Sequence, residues 1–399
     1  MAKIVLAMSG GVDSSVAAAL LLSQGHEVTG VFMKHDSVWE NFSLRNGEKN
    51  PVQNSCSSVQ DELDARYVAE KLKIPLHVVS FRDEFLKIID YFAEEYIHGR
   101  TPNPCAKCNA KIKFGKIFDF ADSVGGDFVA TGHYARILPV SSHEGNGASQ
   151  SAIYMGVDLS KDQSYVLFGI RRELLSRLMF PVGHFQKTEI RRMAENFGFS
   201  LAQKRDSQEI CFVPDKNHAR FVREYFAVKA QSEKRGKEAD DEKVEEEGIK
   251  RSVSKEKIVG CAGNPGEFIT VEGTVVGMHS GLEKYTIGQR KGLGLAFGEP
   301  RYVIRLEYET NRVVIGTYEQ LAQHSLDADG VNWLIPVPKE PFSCMVKVRY
   351  RTAAVMATVI PGENQTFHVK FNSPIYGVAP GQAVVCYDGQ RLLGGGWIK

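Results

Sequence analysis

The stretch KIVLAMSGGVDSS, residues 3–15, decides the fold. Lys3–Ala7 reads as a strand and 13–24 as a helix that Gly25 ends, with Ser-Gly-Gly between them. Glycines let a backbone approach phosphate closely, and a helix N-terminus aims unpaired N–H groups and a positive dipole end at it. The hydroxyls of Ser9, Ser14 and Ser15 add donors. Asp13 is the odd residue: beside phosphate it needs Mg²⁺ or another cation, unless it caps the helix. The segment lacks the Gly-Lys-Ser/Thr ending of a Walker A loop and is not GxGxxG. An ordinary capped turn is the competing reading. SGGVDS directly after VLAM favours the phosphate loop, because a strand precedes it and a helix follows.

Outward from this loop, apolar runs at 28–33, 76–80 and 127–131 read as further strands. Between them, 83–96 is amphipathic, with Phe85, Ile88, Ile89, Phe92 and Tyr96 on one face, and 109–124 repeats the helical pattern. This βαβα order predicts a doubly wound parallel sheet, with ligands beyond the carboxyl ends of its strands. Residues 139–151 read as a polar surface loop, and 188–197 as a helix ended by Gly198. The stretch 229–257 is dense in Lys, Glu and Asp without aromatics; a mobile insertion is the first reading and an exposed helix the alternative. After about residue 285, short strand-like runs appear at 302–306, 312–315, 345–350, 355–360, 366–371 and 383–387. With the hairpin signal Asp388-Gly389 they predict an antiparallel β-barrel or sandwich. The expected division is an α/β catalytic domain over 1–212, a small central domain over 213–284 carrying a charged insertion near 229–258, and a β-barrel over 285–399.

The 399 residues call for two or three domains. Hydrophobic content of 43% and charged content of 24% are those of a globular protein with packed cores. The net charge of +1 announces no nucleic acid, so any such surface must be local, and residues 281–399 carry +3. No run of about 18 apolar residues spans a membrane. The N-terminus reads as strand and helix, not as a signal peptide, and the seven cysteines fit a reducing cytoplasm.

Two cysteine settings stand out. In GRTPNPCAKCN (99–109) two prolines stiffen the approach to Cys105 and Cys108, which fall at the start of a predicted helix. Five Lys or Arg and no acid lie between residues 99 and 116, a composition that suits phosphate contacts and lowers thiol pKa. A zinc half-site and a thioredoxin-type pair compete, but no second CxxC follows and the thioredoxin context is missing. In KRDSQEICF (204–212), Cys211 follows a polar loop; alone it reads as a buried structural cysteine. Cys56, Cys261, Cys344 and Cys386 have no such setting.

SGGVDS resembles the pyrophosphate loop of the adenine-nucleotide hydrolase-like ATP pyrophosphatases: tRNA sulfurtransferases, GMP synthetase, argininosuccinate synthetase and tRNA lysidine synthetase. The strings TPNPCAKCN, ATGHYAR, KDQSYVLF, FPVG, DSQEICF, YTIGQRKGLG and APGQ narrow this to a close resemblance to the bacterial tRNA-specific 2-thiouridylases, over nearly the whole chain. KDQSY and YTIGQRKGLG are more specific than the pyrophosphate loop. The resemblance implies adenylation of the C2 oxygen of a wobble uridine, so that AMP can leave, and delivery of sulfur from a cysteine persulfide. It implies Cys211 as persulfide carrier and Cys108 as nucleophile, with direct persulfide attack and released sulfide both open. It also implies a Cys108–Cys211 disulfide that a reductant resets.

By the same resemblance ATP, with Mg²⁺, contacts Ala7, Met8, Ser9, Gly10, Gly11, Val12, Asp13, Ser14, Met33 and Gly132. Asn103, Pro104 and Cys105 face the target base. His133, Lys161, Asp162, Gln163, Arg349, Tyr350 and Gln382 contact tRNA. A lone histidine after a strand is ordinarily structural, and only ATGHYAR promotes His133. Arg290 and Lys291 are further phosphate candidates, or solvated turn charges. Implied partners are the Lys, Glu and Gln acceptor tRNAs and a sulfur-relay or cysteine desulfurase donor. Some members carry aspartate at the position of Cys105, which puts a general acid–base role in doubt here. An iron–sulfur cluster on Cys105, Cys108 and Cys211 is a second arrangement. A nitrogen-delivering synthetase would keep its activity without either thiol, and a non-catalytic tRNA-binding scaffold would produce no AMP.

Overall fold

The computed structural model describes residues 1–34, 59–140, 150–206, 210–213, 215–240 and 263–399. β1 (Lys3–Ala7) is buried on both faces: Val5 and Ala7 enter one apolar cluster and Ile4 and Leu6 another. A strand covered on both sides has no solvent face to make polar, hence its unbroken apolar run. It pairs in parallel with β2 (Glu27–Lys34) and β4 (Phe128–Thr131), and the sheet is completed by β3 (Leu76–Ser80) and β7 (Leu178–Met179) in the order β3-β2-β1-β4-β7. The chain winds outward from β1 to β3 and returns on the other side at β4. A topological switch point therefore lies between β1 and β4, where open α/β sheets bind ligands.

Helix α1 (Val12–Ser23) follows β1, and α2 (Val59–Leu72) and α3 (Arg82–Ile97) flank β3 in the chain. The face predicted for 83–96 is the buried face of α3. The predicted helix at 109–124 starts earlier and changes its winding. α4 (Pro104–Cys108) runs into a π-helical stretch, Asn109–Lys116, and then into α5 (Ile117–Ser123). α6 is Lys187–Asn196, and α7, His218–Asp240, carries the first part of the charged stretch as helix. The remainder of that insertion, 241–258, lies outside the described residues.

Two β units complete the molecule. β8 (Gly266–Thr270), β9 (Val275–His279), β10 (Tyr302–Glu307) and β11 (Arg312–Gly316) form a sheet in the order β10-β11-β8-β9. The sequence grouped 302–315 with the barrel. Here that hairpin packs Val303, Val313 and Ile315 on Phe268 in the central unit, because alternation specifies a strand but not its partner. The barrel consists of β12 (Ala322–Trp333), β13 (Phe342–Lys347), β14 (Val355–Pro361), β15 (Phe367–Tyr376), β16 (Ala383–Asp388) and β17 (Arg391–Ile398), closed by the β12–β17 pairing. Closure removes the edges an open sheet would expose, and it resolves the barrel-or-sandwich alternative. Cys344 and Cys386 are buried in its core.

One hairpin crosses between units. β5 (Ala135–Val140) and β6 (Gln150–Met155) leave the first domain and extend the barrel sheet beside β17. The polar stretch at 139–151 is thus bounded by strands; 141–149 and Cys56 and Cys261 lie outside the described residues. Among the described residues no helix is long and apolar enough to cross a membrane.

Candidate active site

The loop after β1 is held by its own side chains. The Ser14 Oγ accepts from the Ser9 backbone N–H at 3.2 Å and donates to the Gly11 carbonyl at 3.1 Å, and Ser15 Oγ donates to the same carbonyl at 2.9 Å. Two serines are thereby spent on shaping the turn. The first-turn N–H groups of α1 have no partner within the helix, and α1 begins just beyond the carboxyl end of β1. Gly10 has φ +68°, and a Cβ there would lie 2.1 Å from the Asp61 carbonyl oxygen, so both conformation and contact demand glycine. Gly132, after β4, lies so close to α1 that a Cβ would sit 2.8 Å from the Ser14 nitrogen. The nucleotide candidates Ala7 to Ser14, Met33 and Gly132 all fall at the carboxyl ends of β1, β2 and β4.

Asp13 finds its cation in the protein. Lys187 Nζ lies 2.7 and 2.8 Å from its carboxylate oxygens and 2.9 Å from Asp206, with the Lys187 side chain only 9% exposed. The Tyr134 hydroxyl donates to Asp13 at 2.7 Å; burial first and Asp13 second push that phenol well above its usual range. Gly11, with no side chain to offer, occupies the N-cap of α1, so Asp13 is not the cap. Asp206 also meets Lys161 at 2.8 Å and Arg191 at 2.9 Å. Partial burial would raise its carboxyl, but the hydrogen bonds from Lys161 and Lys187 outweigh that and hold it down to about 2. Lys204 completes the lattice, donating to the Gly10 carbonyl at 2.9 Å and pairing with Asp61 at 2.6 Å and Asp64 at 2.5 Å. The residues leading toward Cys211 are thus bound to the nucleotide loop by charge at two points.

Lys187, Lys204, Asp206 and Tyr134 carry this network, and the sequence reading gave none of them a role. One signal was available. Lys187 opens α6, where a cation faces the positive end of the helix dipole, so its placement there implies a use elsewhere.

Two of the thiols share one apolar cluster. Cys108 and Cys211 both pack against the cluster of Phe85, Phe92, Phe212 and Phe221, and Met33 packs against the same cluster. Cys105, in the first turn of α4, is exposed. Cys108 ends that turn, so the helix terminus acts on it less than the sequence suggested. The Asn103 side chain caps α4 by accepting from the Ala106 N–H at 3.1 Å. Lys107 does not face the thiols: its ammonium stands 4.1 Å from the Trp397 ring centre and 5.1 Å from that of Tyr91. Among the described residues no group of three His, Cys, Asp or Glu side chains is placed to hold a metal.

Most of the expected RNA contacts have work inside the chain. His133 is buried between Phe114 and Phe180 and bonded to Thr131 Oγ1 at 2.7 Å; burial first, then the Lys113 charge, push its pKa well below the usual range. Asp162 is buried and accepts from the Gly156 and Ser164 N–H groups at 3.1 Å. Gln163 receives the Tyr134 N–H at 2.9 Å, and Gln382 donates to the Thr101 and Pro102 carbonyls at 3.1 and 3.0 Å. Arg349 donates to the Ile287 carbonyl at 2.8 Å, and burial lowers its pKa. Tyr350 stays 39% exposed, 6.1 Å from the Tyr165 ring and near enough to Asp162 and Cys105 for their charges to raise its phenol, after burial. Arg290 and Lys291 lie exposed on the Gly-rich loop of the central unit.

Family models match the chain in three parts: one described as tRNA methyl transferase HUP domain over residues 2–215, one as tRNA methyl transferase PRC-barrel domain over 256–317, and one as Aminomethyltransferase beta-barrel domain over 323–398. The chain is 43% identical to the tRNA-specific 2-thiouridylase MnmA of Rhodopirellula baltica, covering 100% of this chain and 96% of that protein. It is 42% identical to the protein of the same name from Geobacter metallireducens, covering 99% and 96%, and 41% identical to that of Geotalea uraniireducens, covering 100% and 95%. A crevice built for a nucleotide, two thiols on one apolar cluster and full-length identity above 40% lead to one assignment: the chain belongs to the tRNA-specific 2-thiouridylase family.

Proposed function

We propose that this protein is a tRNA-uridine 2-sulfurtransferase that uses MgATP to adenylate the C2 oxygen of the wobble uridine and delivers sulfur from Cys211 with the help of Cys108. The observation that carries the reading is that Cys108, Cys211 and Met33 share one apolar cluster, so sulfur transfer and nucleotide chemistry border the same space. In the first step the uridine O2 attacks the α-phosphate and pyrophosphate leaves. In the second, the terminal sulfur of a Cys211 persulfide attacks C2 and AMP departs with its oxygen. The Cys108 thiolate then attacks the Cys211 sulfur, releasing the thiocarbonyl and leaving a Cys108–Cys211 disulfide that an external dithiol reduces. Apolar surroundings suit this chemistry, because water there would hydrolyse the activated base. The Lys, Glu and Gln tRNAs are the substrates this reading carries over, and a sulfur-donor protein must charge Cys211.

Purified protein with MgATP, a persulfide donor (a cysteine desulfurase with cysteine), a dithiol and a wobble-uridine transcript should yield 2-thiouridine on digestion and mass spectrometry. Cys108→Ala should lower the yield by at least about a thousandfold, on the scale of removing a nucleophile, while nucleotide binding persists. Cys211→Ala should be partly rescued by free sulfide. No ATP-dependent 2-thiouridine from folded, nucleotide-binding protein would overturn the reading.

A further inference from the structure

The barrel grips the segment that carries Cys105 and Cys108. The Thr101 N–H donates to the Pro380 carbonyl at 2.7 Å, and the Gln382 amide donates to the next two carbonyls of that segment, Thr101 and Pro102. Tyr91, on α3, takes the Asn103 N–H at 3.3 Å and donates to the Gly381 carbonyl at 3.5 Å. The Gly381 N–H and Ile398 carbonyl, and the Ile398 N–H and Gln382 carbonyl, are joined at 2.8 Å, so the 380–382 turn and the end of β17 move as one piece. From that piece Trp397 projects onto Lys107, the residue immediately before Cys108, with Tyr91 completing the cage and Phe168 backing the indole at 5.3 Å. Four hydrogen bonds to backbone groups fix the segment entering α4, and a cation–π contact fixes the turn that follows.

We propose that Lys107, Trp397 and Gln382 are positioning residues for the thiol chemistry: the barrel sets the place of Cys108 through them. A cage that holds the Lys107 ammonium over two rings also keeps that charge off the neighbouring thiols. Loosening the cage frees the turn, exposing Cys108 to reagents while taking it out of register with its target. This inference rests on the sulfurtransferase reading for its kinetic arm, but not for its chemical-labelling arm.

The test compares Lys107→Met, Trp397→Leu, Trp397→Phe and the Lys107→Met/Trp397→Leu double variant in the full-length protein. Under saturating MgATP and tRNA, Lys107→Met and Trp397→Leu should each lower kcat about tenfold, with both KM values within twofold. Trp397→Phe should keep most of the rate, because a ring remains, and the double variant should be no slower than the worse single one. Iodoacetamide labelling of Cys108, read by peptide mass spectrometry without any substrate, should be several times faster in the slow variants, with melting temperatures within a few degrees of wild type. A rise in the KM for tRNA at unchanged kcat would make Trp397 an RNA contact and overturn the proposal. Additive losses, or Cys108 labelling unchanged in Lys107→Met, would overturn it as well. If wild-type protein makes no 2-thiouridine, the sulfurtransferase reading fails while the labelling comparison still judges the cage.

Discussion

The two loops that meet at the crevice are secured by opposite means. The nucleotide loop is secured by charge: Lys187 between Asp13 and Asp206, and Lys204 between the Gly10 carbonyl and Asp61 and Asp64. The cysteine loop is secured by neutral amide bonds to Gln382 and by rings around Lys107. A triphosphate brings about four negative charges and needs cations within reach, whereas a cysteine loop held by neutral bonds keeps its place whether the thiol it carries is charged or neutral. Charge is concentrated where charge will bind, and the one lysine in the CAKC turn is kept occupied.

The largest expected effect tests the ionic half at its centre. Lys187→Met strands two partly buried carboxylates and should cost about 3 kcal/mol of stability. Adding Asp13→Asn should recover part of it, as read by denaturant titration. A loss no larger than that of an exposed pair such as Arg66–Glu62, under about 1 kcal/mol, would break the contrast between the halves. Next is Gly132→Ala, which puts a methyl against the backbone of α1. An overpacking cost of about 1–3 kcal/mol should appear together with a several-fold rise in the KM for ATP and unchanged labelling of Cys108.

The smallest effect at neutral pH is that of acid. The Asp206 carboxyl is depressed to about 2 from an ordinary 3.8, so its contribution is complete above about pH 4 and is lost as pH falls toward 2. His133 and His279 are depressed by burial from 6.5, so the unfolded chain binds protons that the folded one refuses, and stability declines as pH falls below that value. Thermal melting should therefore show two acid limbs, and Asp206→Asn should remove only the one below pH 4. Loss of the upper limb in that variant would mean that the network, not the histidines, responds first.

Much of this was legible in residues 3–15, because a doubly buried strand, a glycine turn and a helix are local events that composition announces. The face of α3 was equally plain, since Phe85, Ile88, Ile89 and Phe92 repeat at helical spacing. What stayed hidden is what depends on distant partners. The sequence offered Mg²⁺, another cation or a cap for Asp13, and the answer, Lys187, lies 174 residues away. Gln382 came with an RNA role by resemblance, and only the fold reveals the carbonyls of Thr101 and Pro102 beneath it. The π-helical winding after Cys108 leaves no mark in the apolar period. It coincides with Asn109, whose buried amide reaches the Val166 carbonyl at 3.2 Å.

The hairpin lent by the first domain to the barrel sheet also bears on how the protein is born. Arg136 bonds Gln390 across 254 residues, and β6 can pair with β17 only once that strand exists. At synthesis rates of about 5–20 residues per second, β5 and β6 wait roughly 10–50 s for their partner to be made. Until then the sheet has an unfinished edge and the cysteine loop has no wall behind it. The parallel sheet and its lysine–aspartate network are complete in the chain by residue 206, whereas the cysteine loop gains its bonds to Pro380 and Gln382 only with the last strands, so the two loops are secured at different times in synthesis.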